Sequence, residues 1–187
     1  MTNDASSQAW VGEVLGFWFG ELGREAWFRK DAAVDQAIRE RFLALYERLA
    51  AAPASEATTS ADRALASVLV LDQFPRNMFR TGARAFATDG RALEIARAAI
   101  AQGLDQQIDQ DRRVFLYLPF EHSEDSGDQA RCVALTSALG DAEYTRYAEL
   151  HQAVIDRFGR FPHRNSVLGR ASTPEEEAFL KEPGSAF

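Results

Sequence analysis

The chain has 187 residues, enough for one domain with a full core and short for two. Hydrophobic residues make up 46%, which argues against wholesale disorder, and a net charge of −7 without long single-sign runs argues against a nucleic-acid-binding face. One cysteine excludes an intrachain disulfide, and no stretch of about 20 apolar residues offers a membrane span.

The periodicity is helical nearly throughout and predicts an all-α fold. A first helix over about 6–19 carries Trp10, Val14, Phe17 and Trp18 and ends near Gly20. Trp27 and Phe28 follow, and all these early aromatics are read as core or helix-packing residues. Asp31 is a fitting N-cap for a second helix over about 31–50, with Val34, Ile38, Phe42 and Leu45 on one face. Residues 51–59 are small, polar and proline-containing, hence a loop.

A third helix over about 60–74 carries Leu65, Val68, Leu69 and Leu71. Pro75 lacks an amide hydrogen and disfavours helix at Phe74, so a kink or stop is expected there. Asp89 is expected to cap a helix through Leu93, Ile95, Ala96 and Ile100 that ends near Gly103. The next starts near Asp109, includes Val114, Phe115 and Leu118, and should end at Pro119.

Ser123, Ser126 or Asp128 begins another, closed by Gly140. Asp141 caps the longest, with Tyr144, Ala148, His151, Ile155 and Phe158 on one stripe and Gly159 after it. Thr173, Pro174 and Glu176 then form a capping-box start. Seven to eight helices with short connections imply antiparallel hairpins in a single domain over 1–187. The start, Met1-Thr2-Asn3-Asp4, has no signal-peptide pattern, so the expected location is cytoplasmic.

Three segments could carry chemistry. In Asp72-Gln73-Phe74-Pro75-Arg76-Asn77-Met78-Phe79-Arg80, Asp72 sits on or beside a buried face, and Arg76, Asn77 and Arg80 project beyond the proline. Asp72 with Arg76 also reads as a structural ion pair. In Pro119-Phe120-Glu121-His122-Ser123-Glu124, Glu121 and His122 sit at a helix–helix corner, where a histidine beside a carboxylate suits general acid–base work. Glu121, His122 and Glu124 are weighed as metal ligands, but their spacing is unlike a two-histidine metal helix and no metal is expected.

The third segment gathers Arg160, His163, Arg164 and Asn165 after Gly159. Such donors hold a carboxylate or phosphate, and they equally stabilise a helix C-terminus. His151, on the apolar stripe, reads as a hydrogen-bonded histidine within or beside the core. Cys132 lies in the apolar stretch Cys132-Val133-Ala134-Leu135 and reads as a buried, inert thiol. No phosphate-cradling glycine loop, dinucleotide fingerprint or nucleophile elbow is present, and no cofactor is expected.

These three segments, with Val14-Leu15-Gly16-Phe17-Trp18-Phe19-Gly20 and Leu168-Gly169-Arg170-Ala171-Ser172-Thr173, resemble the bacterial domain-of-unknown-function family numbered 924. The resemblance covers nearly the whole chain in the same order. It implies an all-helical fold similar to tetratricopeptide-like α–α superhelices, and no reaction. Three readings follow from the residues themselves. The first is a pocket for an anionic or polar small molecule, with His122, Glu121 and Asp72 moving a proton. Arg76, Asn77, Arg80, Glu124, Arg160, His163, Arg164 and Asn165 would bind the ligand. The second is a module that clamps a peptide or protein partner; the third is a structural network that pins helix ends.

Overall fold

Short acceptor side chains set the helix boundaries. The computed structural model describes residues 3–185, and side chains from residue 9 onward. α1 (Asn3–Leu15) passes into a wider π-helical turn, Gly16–Leu22, which buries Phe17 and Trp18. Asp31 accepts from the amides of Ala33 and Val34 at 2.9 and 3.3 Å, as its sequence position predicts, and opens α2 (Ala32–Ala51). Ile38, Phe42 and Tyr46 form the buried face of α2. Ser60 caps α3 (Ala61–Val68), which is buried along most of its length.

Pro75 does not end this helix. α3 continues through a π-helical turn, Leu69–Gln73, into α4 (Phe74–Met78), and the amide of Phe74 donates to the carbonyl of Leu69 five residues back. A proline within the first turn of α4 forfeits an amide that a fresh helical start leaves unpaired anyway. The carbonyl of Leu71, which would face the missing amide of Pro75, accepts instead from Thr88 Oγ1 at 2.6 Å. Thr88 is thus also the residue before α5 (Asp89–Ala101), so Asp89 is the first helical residue and not the expected cap.

α6 (Gln110–Glu121) contains Pro119 and runs two residues past it, again further than expected. α7 (Ser126–Leu139) begins at Ser126, one of the three starts considered from sequence, and Asp125 caps it by accepting from the amide of Asp128 at 3.0 Å. Gly140 takes φ 75° at its end. Asp141 caps α8 (Ala142–Phe158), and Gly159 at φ 66° ends it. Both glycines occupy the left-handed region that other residues enter at a cost. Thr173 and Glu176 form the reciprocal capping box of α9 (Pro174–Phe179). The fold is all-α, and no strand occurs among the described residues.

Two compact units make up the chain: one reaches to Arg80 and includes Arg84–Pro119, and the other holds Thr81–Ala83 and the chain from Phe120 onward. The first is organised around aromatic rings. Phe42 lies 5.2 Å from Phe17 and 4.9 Å from Phe74, while Trp18 lies 5.7 Å from Phe74 and 5.8 Å from Phe115. Phe28 is the helix-packing case of the early aromatics and not a core one: it is 62% exposed and stacks on Phe115 of α6. In the second unit α7 and α8 form a hairpin about Gly140 and Asp141. Val154, Ile155 and Phe161 are its buried cluster, with Phe158 and Phe179 against it. Cys132 is buried, and burial with the nearby Glu121 carboxylate pushes its thiol well above the ordinary range.

Candidate functional site

In the first unit, the proline segment is closed by carboxylates from elsewhere in that unit. Asp72, fully buried, accepts from Gln73 Nε2 at 2.6 Å and lies 3.4 Å from Arg76 Nη1. Arg76 forks onto both oxygens of Asp89 at 2.9 and 3.0 Å and also donates to the Asp72 carbonyl at 2.6 Å. Asp35 of α2 receives Asn77 Nδ2 at 2.8 Å and Arg80 Nη2 at 2.6 Å. Arg76, Asn77 and Arg80 therefore tie the end of α4 to α2 and α5. Arg76 and Asn77 project from the helical α4 itself, and Arg80 from the turn after it.

In the second unit, the end of α6 is capped by side chains. Gln129 Nε2 reaches the carbonyls of Phe120, Glu121 and Ser123 at 3.4, 2.7 and 2.7 Å. Arg164 Nη1 donates to the remaining one, that of His122, at 3.0 Å. Four consecutive carbonyls at a helix C-terminus are thus satisfied. Glu124 accepts from the amide of Phe161 at 2.8 Å and from both terminal nitrogens of Arg170 at 2.7 and 2.9 Å. Burial opposes ionisation of Glu124, but the Arg170 fork and the Phe161 amide outweigh it and hold its carboxyl below the usual range.

Arg160 closes a second fork, on Glu176, at 2.7 and 2.8 Å. Glu176 is 2% exposed and also accepts from the amide of Thr173 at 2.7 Å. The Arg160 fork, with that amide, draws its carboxyl down to about 2. Asn165 bridges the two forks: its Nδ2 donates to Glu176 and Ser172, and its Oδ1 accepts from Arg170 Nε at 3.0 Å.

Beside these clamps lies a cluster centred on Phe161. His151 is 5% exposed and gives its Nδ1 hydrogen to the carbonyl of Tyr147 at 2.8 Å, as a hydrogen-bonded core histidine would. That bond leaves Nε2 as its basic nitrogen. Glu121 Oε1 lies 3.6 Å from the same Nδ1, so the carboxylate assigned from sequence to His122 sits beside His151. The rings of His122 and Phe161 are 6.4 and 5.7 Å from that of His151, and His163 is 5.7 Å from Phe161. The Arg164 guanidinium stacks 4.5 Å above Phe161. Burial first, then the nearby His122, Arg164 and His163, hold the His151 ring neutral, pushed down to about 3. Among the described residues, no group of three histidine, cysteine or carboxylate side chains is arranged to hold a metal ion. No helix among them is long and apolar enough to cross a membrane.

Residues 14–184 match the family described as bacterial protein of unknown function (DUF924). The chain belongs to that family. A solved structure, of a protein of unknown function from Agrobacterium tumefaciens, is similar at 42% identity and a TM-score of 0.89, covering 94% of this chain and 98% of that one. No curated protein matches.

The segments that carry the DUF924 resemblance are the same ones that supply the clamps. Arg76 and Asn77 come from the first, Glu121 and Glu124 from the second, Arg160 and Asn165 from the third, and Arg170 and Thr173 from the last. Sequence reasoning passed over several partners: Asp35 and Asp89 in the first unit, and Gln129, Arg170 and Glu176 as an ion-pair acceptor in the second. Asp89 and Glu176 carried a signal only as residues of a helix start, and Arg170 only as part of the family resemblance.

Proposed function

We propose that this DUF924 chain binds a small anionic or strongly polar molecule at the histidine–arginine cluster of its second unit. Convergence supports this reading: all three histidines of the sequence gather about the His151–Phe161 pair with the buried side chains of Glu121 and Arg164, each 6% exposed. Buried charge is costly and is concentrated where binding or proton transfer uses it. In this reading Arg164 supplies the positive field, and the half-buried His122 and His163 meet the ligand and exchange a proton with it. Glu121 balances the charge that develops. Glu124, Arg160, Asn165 and the first-unit residues Asp72, Arg76, Asn77 and Arg80 act as scaffold.

The test is a melting-temperature panel of small carboxylates, phosphates and sulfate on the wild type, His122→Ala and Arg164→Lys. A ligand that raises the wild-type midpoint and neither variant's supports the proposal. No response from the wild type, or equal responses from all three, overturns it.

A second reading has its own observation: the closed forks of Arg160 on Glu176 and Arg170 on Glu124 make the polar groups a structural lock. Under that reading Arg164→Lys lowers the midpoint by several degrees and no ligand in the panel shifts the wild type.

A further inference from the structure

We propose that the outer flank of α8 pairs with the same flank of a second copy of this chain, antiparallel and about a two-fold axis at Leu150. The inference goes beyond the ligand reading and does not depend on it. Tyr147 and Leu150 are the large apolar side chains that α8 leaves exposed, at 41% and 42%. Three residues apart, they are neighbours on one face of the helix. Val154, four residues further on, belongs to the buried cluster of the unit, so the exposed pair continues that apolar face outward.

The charges at the two ends of this strip identify what covers it. Glu143 stands seven residues before Leu150 and Arg157 seven after, and both are exposed. A seven-residue step returns to nearly the same line along a helix, with a drift of about 20°. The strip therefore reads negative, apolar, positive over about 21 Å. Reversed end for end, that order is its own complement.

Antiparallel pairing about Leu150 sets Glu143 of each copy against Arg157 of the other, and Leu150 against Leu150. Tyr147 then faces Ala153 of the other copy, a broad ring over a small side chain. Arg146, whose guanidinium stacks 4.8 Å from the Tyr147 ring, falls opposite Val154, so no like charges meet. Parallel pairing would set carboxylate on carboxylate at one end and guanidinium on guanidinium at the other, which selects the antiparallel form. Arg157 has room for a second carboxylate. Within its own chain Glu175 takes the Nε and Nη2 edge, each at 3.0 Å, and Nη1 carries two further hydrogens.

One helix pair is smaller than a standard interface, so the dissociation constant is expected at about 10–100 μM. Sedimentation equilibrium of the full chain over about 5–500 μM is expected to show monomer passing to dimer, and Leu150→Asp to weaken the dimer about tenfold or more. Raising salt from about 0.05 to 0.5 M is expected to weaken the wild-type dimer through its end charges, and Glu143→Gln to lose most of that dependence. Leu150→Cys reads the axis directly. Its thiol meets its own copy and closes an intermolecular disulfide under mild oxidation, whereas that of Glu149→Cys, turned about 100° away, does not. Cys132 is buried and does not compete. A wild type monomeric throughout, which would leave the strip to a different partner, overturns the proposal. So does a dimer unchanged in Leu150→Asp, or equal cross-linking of Leu150→Cys and Glu149→Cys. If Leu150→Asp does not fold, the milder Leu150→Cys decides it.

Discussion

Arg170 and Glu124 stand 46 residues apart in the chain and meet as a two-pronged ion pair, Nη1 on Oε2 at 2.7 Å and Nη2 on Oε1 at 2.9 Å. The same Arg170 also donates to the carbonyl of Phe161, and Glu124 accepts the Phe161 amide. One residue of the turn after α8 is thereby held at both of its backbone polar groups by the two partners of a single ion pair.

Removing Arg170 breaks that arrangement. Arg170→Ala is expected to cost roughly 2 kcal/mol, in the range of hydrogen bonds to charged groups. In a chain of this size that lowers the melting midpoint by roughly 4–8 °C. Arg170→Lys, which cannot fork, is expected to recover only part of the loss. Thermal melts followed by circular dichroism at 222 nm check both.

Glu176 gives a pH dependence whose direction is fixed. Its carboxyl is held at about 2 in the folded chain, against an ordinary 4.5 when unfolded. Below 4.5 the unfolded chain takes up a proton that the folded chain refuses, so stability falls as pH falls from about 4.5 to 2. Glu176→Gln removes this increment. The midpoint gap between wild type and variant is expected to be constant above pH 5 and to narrow steadily between pH 4.5 and 2.5. A gap independent of pH would contradict the assignment.

Thr88 replaces the amide that Pro75 lacks, by donating to the buried carbonyl of Leu71. Thr88→Val keeps the shape and loses the donor, and is expected to cost about 1–3 kcal/mol because a buried carbonyl is left unmet. Thr88→Ser keeps the hydroxyl and is expected to recover most of it. Urea denaturation of the two variants separates the hydroxyl from the methyl group.

Ser67 is the opposite case. It is 1% exposed, and its Oγ has no hydrogen-bond partner among the described residues while lining a small cavity with Leu49, Leu71 and Ile95. Ser67→Ala deletes an unmet polar atom and improves helix propensity, so the midpoint is expected to rise by about 2–4 °C. A fall would show that the hydroxyl is satisfied in solution.

What was legible in the sequence was local. Asp31, Asp141 and Thr173 announce helix starts because a cap reaches amides two or three residues away. Gly140 and Gly159 announce helix ends just as locally, because the left-handed backbone there suits glycine. Pro75 and Pro119 misled, because a π-helical turn or a donor from another segment can absorb a missing amide, and neither leaves a mark near the proline. The candidate residues were recognisable as polar groups in unusual company, but their partners were not. Asp35 lies 42 residues from Asn77, and Arg164 reaches the carbonyl of His122 across the same separation. Periodicity orders one helix at a time and carries no record of which distant carboxylate an arginine will meet.

The division of aromatic and imidazole groups between the units gives the molecule built-in reporters. Trp10, Trp18 and Trp27, all the tryptophans of the sequence, belong to the first unit, and all three histidines to the second. Tryptophan fluorescence, excited selectively over tyrosine, is therefore a signal from one unit and histidine proton resonances a signal from the other. A single unlabelled sample can show whether the two units melt together or in succession.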